Sequence, residues 1–223
     1  ILLYRYTEGS EEEQRVRTQM MLTQIRPHFI YNILASIQVL CLKDPQKAAG
    51  AVACFSSYLR GNMDAIGNEN LVPFPYELAH VENYVTLERI RFGEKLKVCY
   101  EFEKGWDMDF DIPVLSLQPI VENAIKYGVG DKKGGGTVWI SVRREGDSAL
   151  VEIRDDGVGV DARNLNELPI RDDGKTHVGL HNVQARVKLM AGGSLGFFSK
   201  KDWGTIVTIK VPWRRKIHEY TGS

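Results

Sequence analysis

The stretch QIRPHFIYNILASIQVLCLKDP, Gln24 to Pro45, decides how the first part of the chain folds. Leu22, Ile25, Phe29, Ile33, Ile37 and Leu40 recur at steps of three and four, the spacing of one face of an amphipathic helix. Pro27 interrupts that pattern, although a proline inside a helix removes a backbone hydrogen bond and costs about 3 kcal/mol. It frees the carbonyl of Thr23 and is expected to kink the helix there. His28 follows at once and lies roughly 120° from the centre of the stripe, off the packed face and accessible.

Upstream, EEEQRVRTQMMLTQ from Glu11 holds strong helix formers and no breaker. Downstream, Asp44-Pro45 reads as an N-cap followed by proline at the first helical position. Ala48, Val52, Phe55, Leu59 and Met63 then carry a second stripe. Residues 11–66 are expected to form a helical hairpin. Two such helices cannot bury both stripes against each other alone, so a dimeric four-helix bundle is the expected remedy. The opening ILLYRYT is too short and wrongly flanked for a signal peptide, and residues 1–10 read as the stub of a longer chain.

After residue 70 strand and helix signals alternate. LVPF is a strand candidate, Tyr76 to Arg91 a helix, KLKVCYEFE a strand, and PVLSLQPIVENAIKYG a largely buried helix. TVWISVRRE and ALVEIRD form a hairpin across Gly146-Asp147. A polar, irregular stretch over 161–176 precedes a helix from Val178 to Met190. SLGFFSK and GTIVTIKVP form a last hairpin across Asp202-Trp203, and 214–223 is a tail. The expected fold class is α+β: the hairpin first, then an α/β sandwich over 71–213 with its helices on one face.

Bulk composition narrows the function classes. At 43% hydrophobic and 26% charged residues, wholesale disorder is excluded. Lys+Arg and Asp+Glu both number 29, so nothing argues for nucleic-acid binding. No run of about 18 apolar residues exists to span a membrane. Cys41, Cys54 and Cys99 have neither CxxC spacing nor an even count, and read as small buried apolar residues in a reducing compartment.

Three segments carry candidate chemistry. DDGVG, Asp155 to Gly159, follows an alternating strand, and its glycines allow a sharp turn or close approach to a ligand. Alone, such a stretch is usually just a turn. VENAIKYG, Val121 to Gly128, places Asn123 and Lys126 three apart on one helix face. A carboxamide oxygen and an ammonium there suit Mg²⁺ and phosphate oxygens, though a structural cap and a snorkelling lysine fit too. HVGLHNVQAR, His177 to Arg186, opens a helix with Gly179 near its start, a natural phosphate seat. His177 and His181 stand four apart, but with no Glu between them and no third ligand a zinc site is disfavoured.

In this order, with GTIVTI near the end, the segments resemble the N, G1 and G2 boxes and final GT strand of the Bergerat-type ATP-binding domain of histidine kinases and their relatives. QIRPHFIYNILASI in turn resembles the QINPHFLFNTLNSI pattern of LytS-type sensor histidine kinases, and YVTLERIRFGEKL and IPVLSLQPIVENAIKYG resemble that family's linking motifs. The resemblance covers about residues 20 to 212. It implies that His28 is the phospho-acceptor, that ATP and Mg²⁺ are the cofactors, and that Asn123 ligates Mg²⁺. It also implies that Asp155 accepts a hydrogen bond from the adenine amino group and that Gly157 and Gly159 leave room for the base. Gly179 would face the phosphates, Lys126 would join the nucleotide site, Thr205 would support the adenine end, and 161–176 would be the lid.

The partners implied are a second copy of the chain and the receiver domain of a response regulator. A membrane would enter only through a sensor region absent from this chain, which would be the cytoplasmic portion of a bacterial inner- or plasma-membrane sensor. Three departures qualify the match. Phe29 stands where the commonest histidine kinases carry an acidic base, so the general base is not identified; Asn32, one turn on, is placed to orient the imidazole. Pro119 replaces the Glu of related ATPases, which argues against efficient hydrolysis by water. His177 replaces the first glycine of the GxGL box, which leaves as the alternative an impaired pseudokinase acting as a dimeric scaffold.

Overall fold

The computed structural model describes residues 27–65, 70–105, 108–160 and 178–213. The helix expected upstream of Pro27, with the Thr23 carbonyl and the kink, lies outside them, as do the 161–176 stretch, His177 and the tail. The chain divides into two compact units, one carrying the helical hairpin with Thr86–Arg91, the other carrying Glu69–Val85 and the residues from Phe92 onward.

The hairpin joins α1 (Pro27–Lys43) to α2 (Pro45–Ala65) through Asp44 alone. Asp44 Oδ1 accepts the Lys47 N–H at 3.0 Å and its carbonyl accepts that of Ala48, so one residue ends the first helix and caps the second. Phe29, Ile33 and Ile37 are buried on α1. Phe29 tilts against Tyr58 of α2 with ring centroids 5.1 Å apart.

The second stripe is rotated from its expected place. The buried residues of α2 are Ala48, Ala51, Phe55, Tyr58, Asn62 and Ala65, whereas Val52 and Met63 are about half exposed. Small side chains at Ala48 and Ala51 let the helices approach closely, so the bulkier Val52 and Met63 turn outward. The cysteines also differ from expectation: Cys41 and Cys99 are exposed and Cys54 is half-buried, so none is a core residue. Cys41 lies off the packed stripe, and Cys99 lies on the outward side of its strand.

In the second unit, β1 (Leu71–Pro73) pairs antiparallel with β3 (Asp111–Pro113). Between them run α3 (Phe74–Phe92), a 3-10 turn (Gly93–Lys95) and β2 (Leu96–Phe102). β4 (Gly136–Glu145), β5 (Ser148–Asp155), β6 (Ser194–Lys200) and β7 (Gly204–Pro212) complete a five-stranded sheet of order β2-β4-β5-β7-β6. Both expected hairpins form, but β2 lies parallel to β4, so the sheet is mixed.

Strict alternation gives this sheet its faces. Val138, Ile140 and Val142 on β4, Val151 and Ile153 on β5, and Val207, Ile209 and Val211 on β7 are all buried. They align in rows such as Ile140–Ile153–Val207. Two short helical elements and α5 (Val178–Ala191) cover that face with Ile120, Val121, Ile125, Leu180, Val183 and Val187. On the other face Arg154 stacks over Trp139 at 4.2 Å.

The segment expected as one buried helix from Pro113 divides into four pieces. Asp111–Pro113 is strand β3, and 114–117 is a turn in which Leu115 takes φ +54°. Then come α4 (Gln118–Asn123) and a π-helical turn (Ala124–Val129), closed by Gly130 N–H donating to Ile125 O at 2.7 Å. A left-handed leucine costs about 1–3 kcal/mol, so its surroundings must hold it.

Candidate active site

Continuing the alternation of β5 past Val151 and Ile153 puts Asp155 on the buried face at the strand's end, 4% exposed. A carboxylate where the pattern asks for an aliphatic is a costly choice. Burial pushes it from 3.8 up to about 6, against the pull of the Gly157 and Thr205 backbone N–H groups. Gly157 N–H donates to Asp155 Oδ1 at 2.9 Å, folding the chain back over the carboxylate.

Closely apposed backbones surround this group. A Cβ at Gly128 would stand 2.5 Å from Asp155 Oδ1, and one at Gly157 would strike the Gly128 backbone. Val158 N–H reaches Gly128 O at 3.3 Å, tying the DDGVG turn to the π-helical turn. The glycines thus serve first to let two backbones meet, and the meeting frames the carboxylate. Gly159, at φ +59°, packs in the same manner on the carbonyls of Lys200 and Gly204. Thr205 sits opposite Asp155 on β7, with its hydroxyl 2.9 Å from Ser199 Oγ.

Sequence reasoning missed two members of this region. Lys132 Nζ donates to the Asp156 carbonyl at 2.6 Å and lies 3.3 Å from Asp156 Oδ1, while Thr137 N–H donates to that same oxygen. The signal for Gly128 was present, since it closes the VENAIKYG motif, but its neighbour in space is 27 residues away in DDGVG.

Asn123 is the last residue of α4 and is half-buried. Lys126 lies in the π-helical turn, exposed, with Nζ donating to the Tyr127 hydroxyl at 3.0 Å. The wider winding there turns Lys126 further from Asn123 than an α-helix would. Gly179 is the second residue of α5, and a Cβ there would lie 3.8 Å from Pro119, so the first turn of α5 meets the start of α4.

In the other unit His28 is exposed near the start of α1, and its Nδ1 lies 3.1 Å from the Asn32 side-chain amide one turn on. Carboxamide O and N are interchangeable in such a contact. With Oδ1 turned to accept from Nδ1–H, the imidazole keeps its Nε2 lone pair outward, as an attacking nucleophile requires. Phe29 is 6% exposed and belongs to the packing. Arg91, a motif residue, pairs with Glu88 on its own helix at 3.2 Å.

Both parts of the chain match known proteins. Residues 16–96 match the family model described as histidine kinase, and residues 109–215 match that described as histidine kinase-, DNA gyrase B-, and HSP90-like ATPase. The chain is 30% identical, over its whole length, to the uncharacterized protein YwpD of Bacillus subtilis and covers 77% of it. It is 32% identical to the sensor histidine kinase YpdA of Escherichia coli over 92% of its length. Identity to the sensor protein LytS of Streptococcus mutans is 27% over 93% of the chain. The chain spans 36% and 37% of those two proteins. The solved structure of the mycobacterial sensor histidine kinase MprB, 18% identical, superposes with a TM-score of 0.50, covering 65% of this chain and 97% of that one, and so shares the fold. The chain therefore belongs to the histidine kinases, with the regions of both family models present, and is similar to sensor proteins such as LytS.

Proposed function

We propose that this chain phosphorylates its own His28 from Mg-ATP and passes the phosphoryl group to an aspartate of a response-regulator receiver domain. The observation that carries the ATP end is Asp155, a buried carboxylate on the core face, framed by the Gly128 and Gly157 backbones. Such an acceptor suits one ligand feature: an amino donor on a flat ring entering between apposed backbones, as adenine would present.

Bound Mg-ATP would supply an electrophilic γ-phosphoryl group with its charge neutralised. Asn123 offers a carboxamide oxygen to the Mg²⁺, and Gly179 exposes backbone at the start of α5 to the phosphates. Thr205 holds Asp155 in place through its backbone N–H. Gly159 keeps the turn tight, and Lys126 supplies an exposed ammonium.

His28 attacks through Nε2: its lone pair forms the N–P bond while the bond to the bridging oxygen breaks and ADP departs. Asn32 orients the ring through Nδ1–H but cannot take that proton, which leaves to solvent. With Phe29 buried, the neighbouring residue supplies no base.

The outward apolar residues Leu34, Val39, Leu42, Val52 and Met63 of the hairpin support a homodimer, since a second hairpin would cover them. No helix among the described residues is long and apolar enough to cross a membrane. In this reading membrane attachment comes from a sensor region outside this chain, with this part in the cytoplasm.

Incubation with radiolabelled Mg-ATP tests the reading. Acid-labile, base-stable label is expected on the parent chain and absent from His28→Gln and Asn123→Ala. Label that persists in His28→Gln would overturn it.

A further inference from the structure

The turn at 114–117 is gripped from two sides by groups that the chemistry above does not use. From α3, the buried Glu77 accepts three backbone N–H groups: Leu115 on Oε1 at 2.6 Å, and Ser116 and Leu117 on Oε2 at 3.1 and 3.2 Å. From α5, Arg186 donates Nη1–H to the Val114 carbonyl at 2.9 Å and Nη2–H to that of Leu115 at 2.8 Å. One side chain takes the donors of the turn and the other takes its acceptors.

Between them lies Leu115 in its left-handed conformation, and directly after them α4 begins, ending at Asn123. The three N–H groups that Glu77 holds belong to the residues directly before α4, the last of them Leu117, and the first of them lies 38 residues away in sequence. Glu77 therefore fixes the segment from which the helix starts. One turn on from Glu77 lies the buried His80, and at the start of α4 the Gln118 side-chain amide donates to Glu122 at 2.8 Å, beside Asn123. Glu77 and His80 stand at i and i+3, on one face of α3.

Glu77 and Arg186 also face each other's charge. Burial moves Glu77 up and Arg186 down from their ordinary values, each opposed by the other. Glu77 uses both oxygens as acceptors, as the carboxylate form requires.

We propose that Glu77 and Arg186 are positioning residues for the metal end of the nucleotide site: together they lock the 114–117 turn and so fix where α4 presents Asn123. This rests on Asn123 acting as the Mg²⁺ ligand. The far end of the same segment is anchored separately, by Val158 N–H on Gly128 O and by the π-helical turn. Loosening the clamp therefore swings the start of α4 and leaves the Asp155 end in place.

The test is titration of the purified chain with ATP, once with Mg²⁺ and once with a chelator, beside a thermal melt. In Glu77→Gln the Oε2 position becomes an NH₂ facing two N–H donors. The Mg²⁺-dependent gain in ATP affinity is expected to fall about tenfold, the lower end of what loss of an outer partner costs a metal site, while chelator-bound affinity stays within about twofold. Arg186→Lys, which keeps the charge but cannot fork to two carbonyls, serves if Glu77→Gln does not fold, and the same gain should fall. A folded variant with the parent's full Mg²⁺-dependent gain would overturn the clamp, as would a parallel loss of both affinities, which a merely structural role produces. A parent chain that itself shows no Mg²⁺-dependent gain overturns the role of Asn123, and is distinguished from failure of the clamp by appearing before any substitution.

Discussion

Replacing Asp155 by Asn should make the nucleotide-free protein more stable while weakening its hold on ATP. In the folded chain burial raises this carboxyl from 3.8 to about 6, and the difference corresponds to roughly 3 kcal/mol. Between pH about 4 and about 6 the folded state binds a proton that the unfolded chain does not, so this group's contribution to stability declines as pH rises through that window. Above it the full cost of the buried charge is present. Asn carries no charge at any pH but offers one acceptor oxygen to the N–H groups of Gly157 and Thr205, a loss of about 1 kcal/mol. The balance is a gain of about 2 kcal/mol, or roughly 5 °C in melting temperature for a chain of this size. Thermal melts of parent and variant without nucleotide, from pH about 5 to about 8, read this directly, and the stability gap should widen as pH rises. ATP titration at the upper pH should show weaker binding by the variant, because a functional site carries strain the fold would otherwise shed. A variant no more stable than the parent at the upper pH, or a gap that does not change with pH, would refute the reasoning.

Two further substitutions probe separate parts of the structure. In Gly157→Ala the new methyl lands on the Gly128 backbone, so the two segments must part by about an ångström; ATP affinity should fall about a hundredfold, and unchanged binding by titration would contradict the apposition. Phe29→Ala empties the contact with Tyr58 and should cost the hairpin about 3–5 kcal/mol in denaturant melts, whereas an unchanged midpoint would mean that Phe29 does not pack.

Much of the fold was legible because periodicity is a local property. The alternation of β4, β5 and β7 and the Asp44-Pro45 cap depend on residues next to one another, and each appears in the structure at the expected place. Asp155 was singled out by the DDGVG stretch and the family resemblance, and its burial beside Val151 and Ile153 is what the structure adds. What escaped was set by distant partners. The parallel pairing of β2 with β4 joins segments about forty residues apart, and nothing in KLKVCYEFE states its direction. The turn at 114–117 is apolar in sequence and reads as helix; only Glu77 and Arg186, which arrive from other helices, reveal it as a held turn. The π-helical turn carries Gly128 against Asp155, again a contact across the chain. The buried face of α2 turned on which side chains were small enough for close helix approach, and counting apolar residues weighted Val52 and Met63 above Ala51.

The most direct measurement is the position of the phosphoryl group itself. The chain, grown with isotope-labelled histidine and incubated with Mg-ATP, would be read by heteronuclear NMR for coupling between phosphorus and a ring nitrogen. The expected result is coupling to Nε2 of His28, with Nδ1 still facing Asn32. Coupling to Nδ1, or a phosphoryl group on any histidine other than His28, would contradict both the acceptor and the role of its orienting amide.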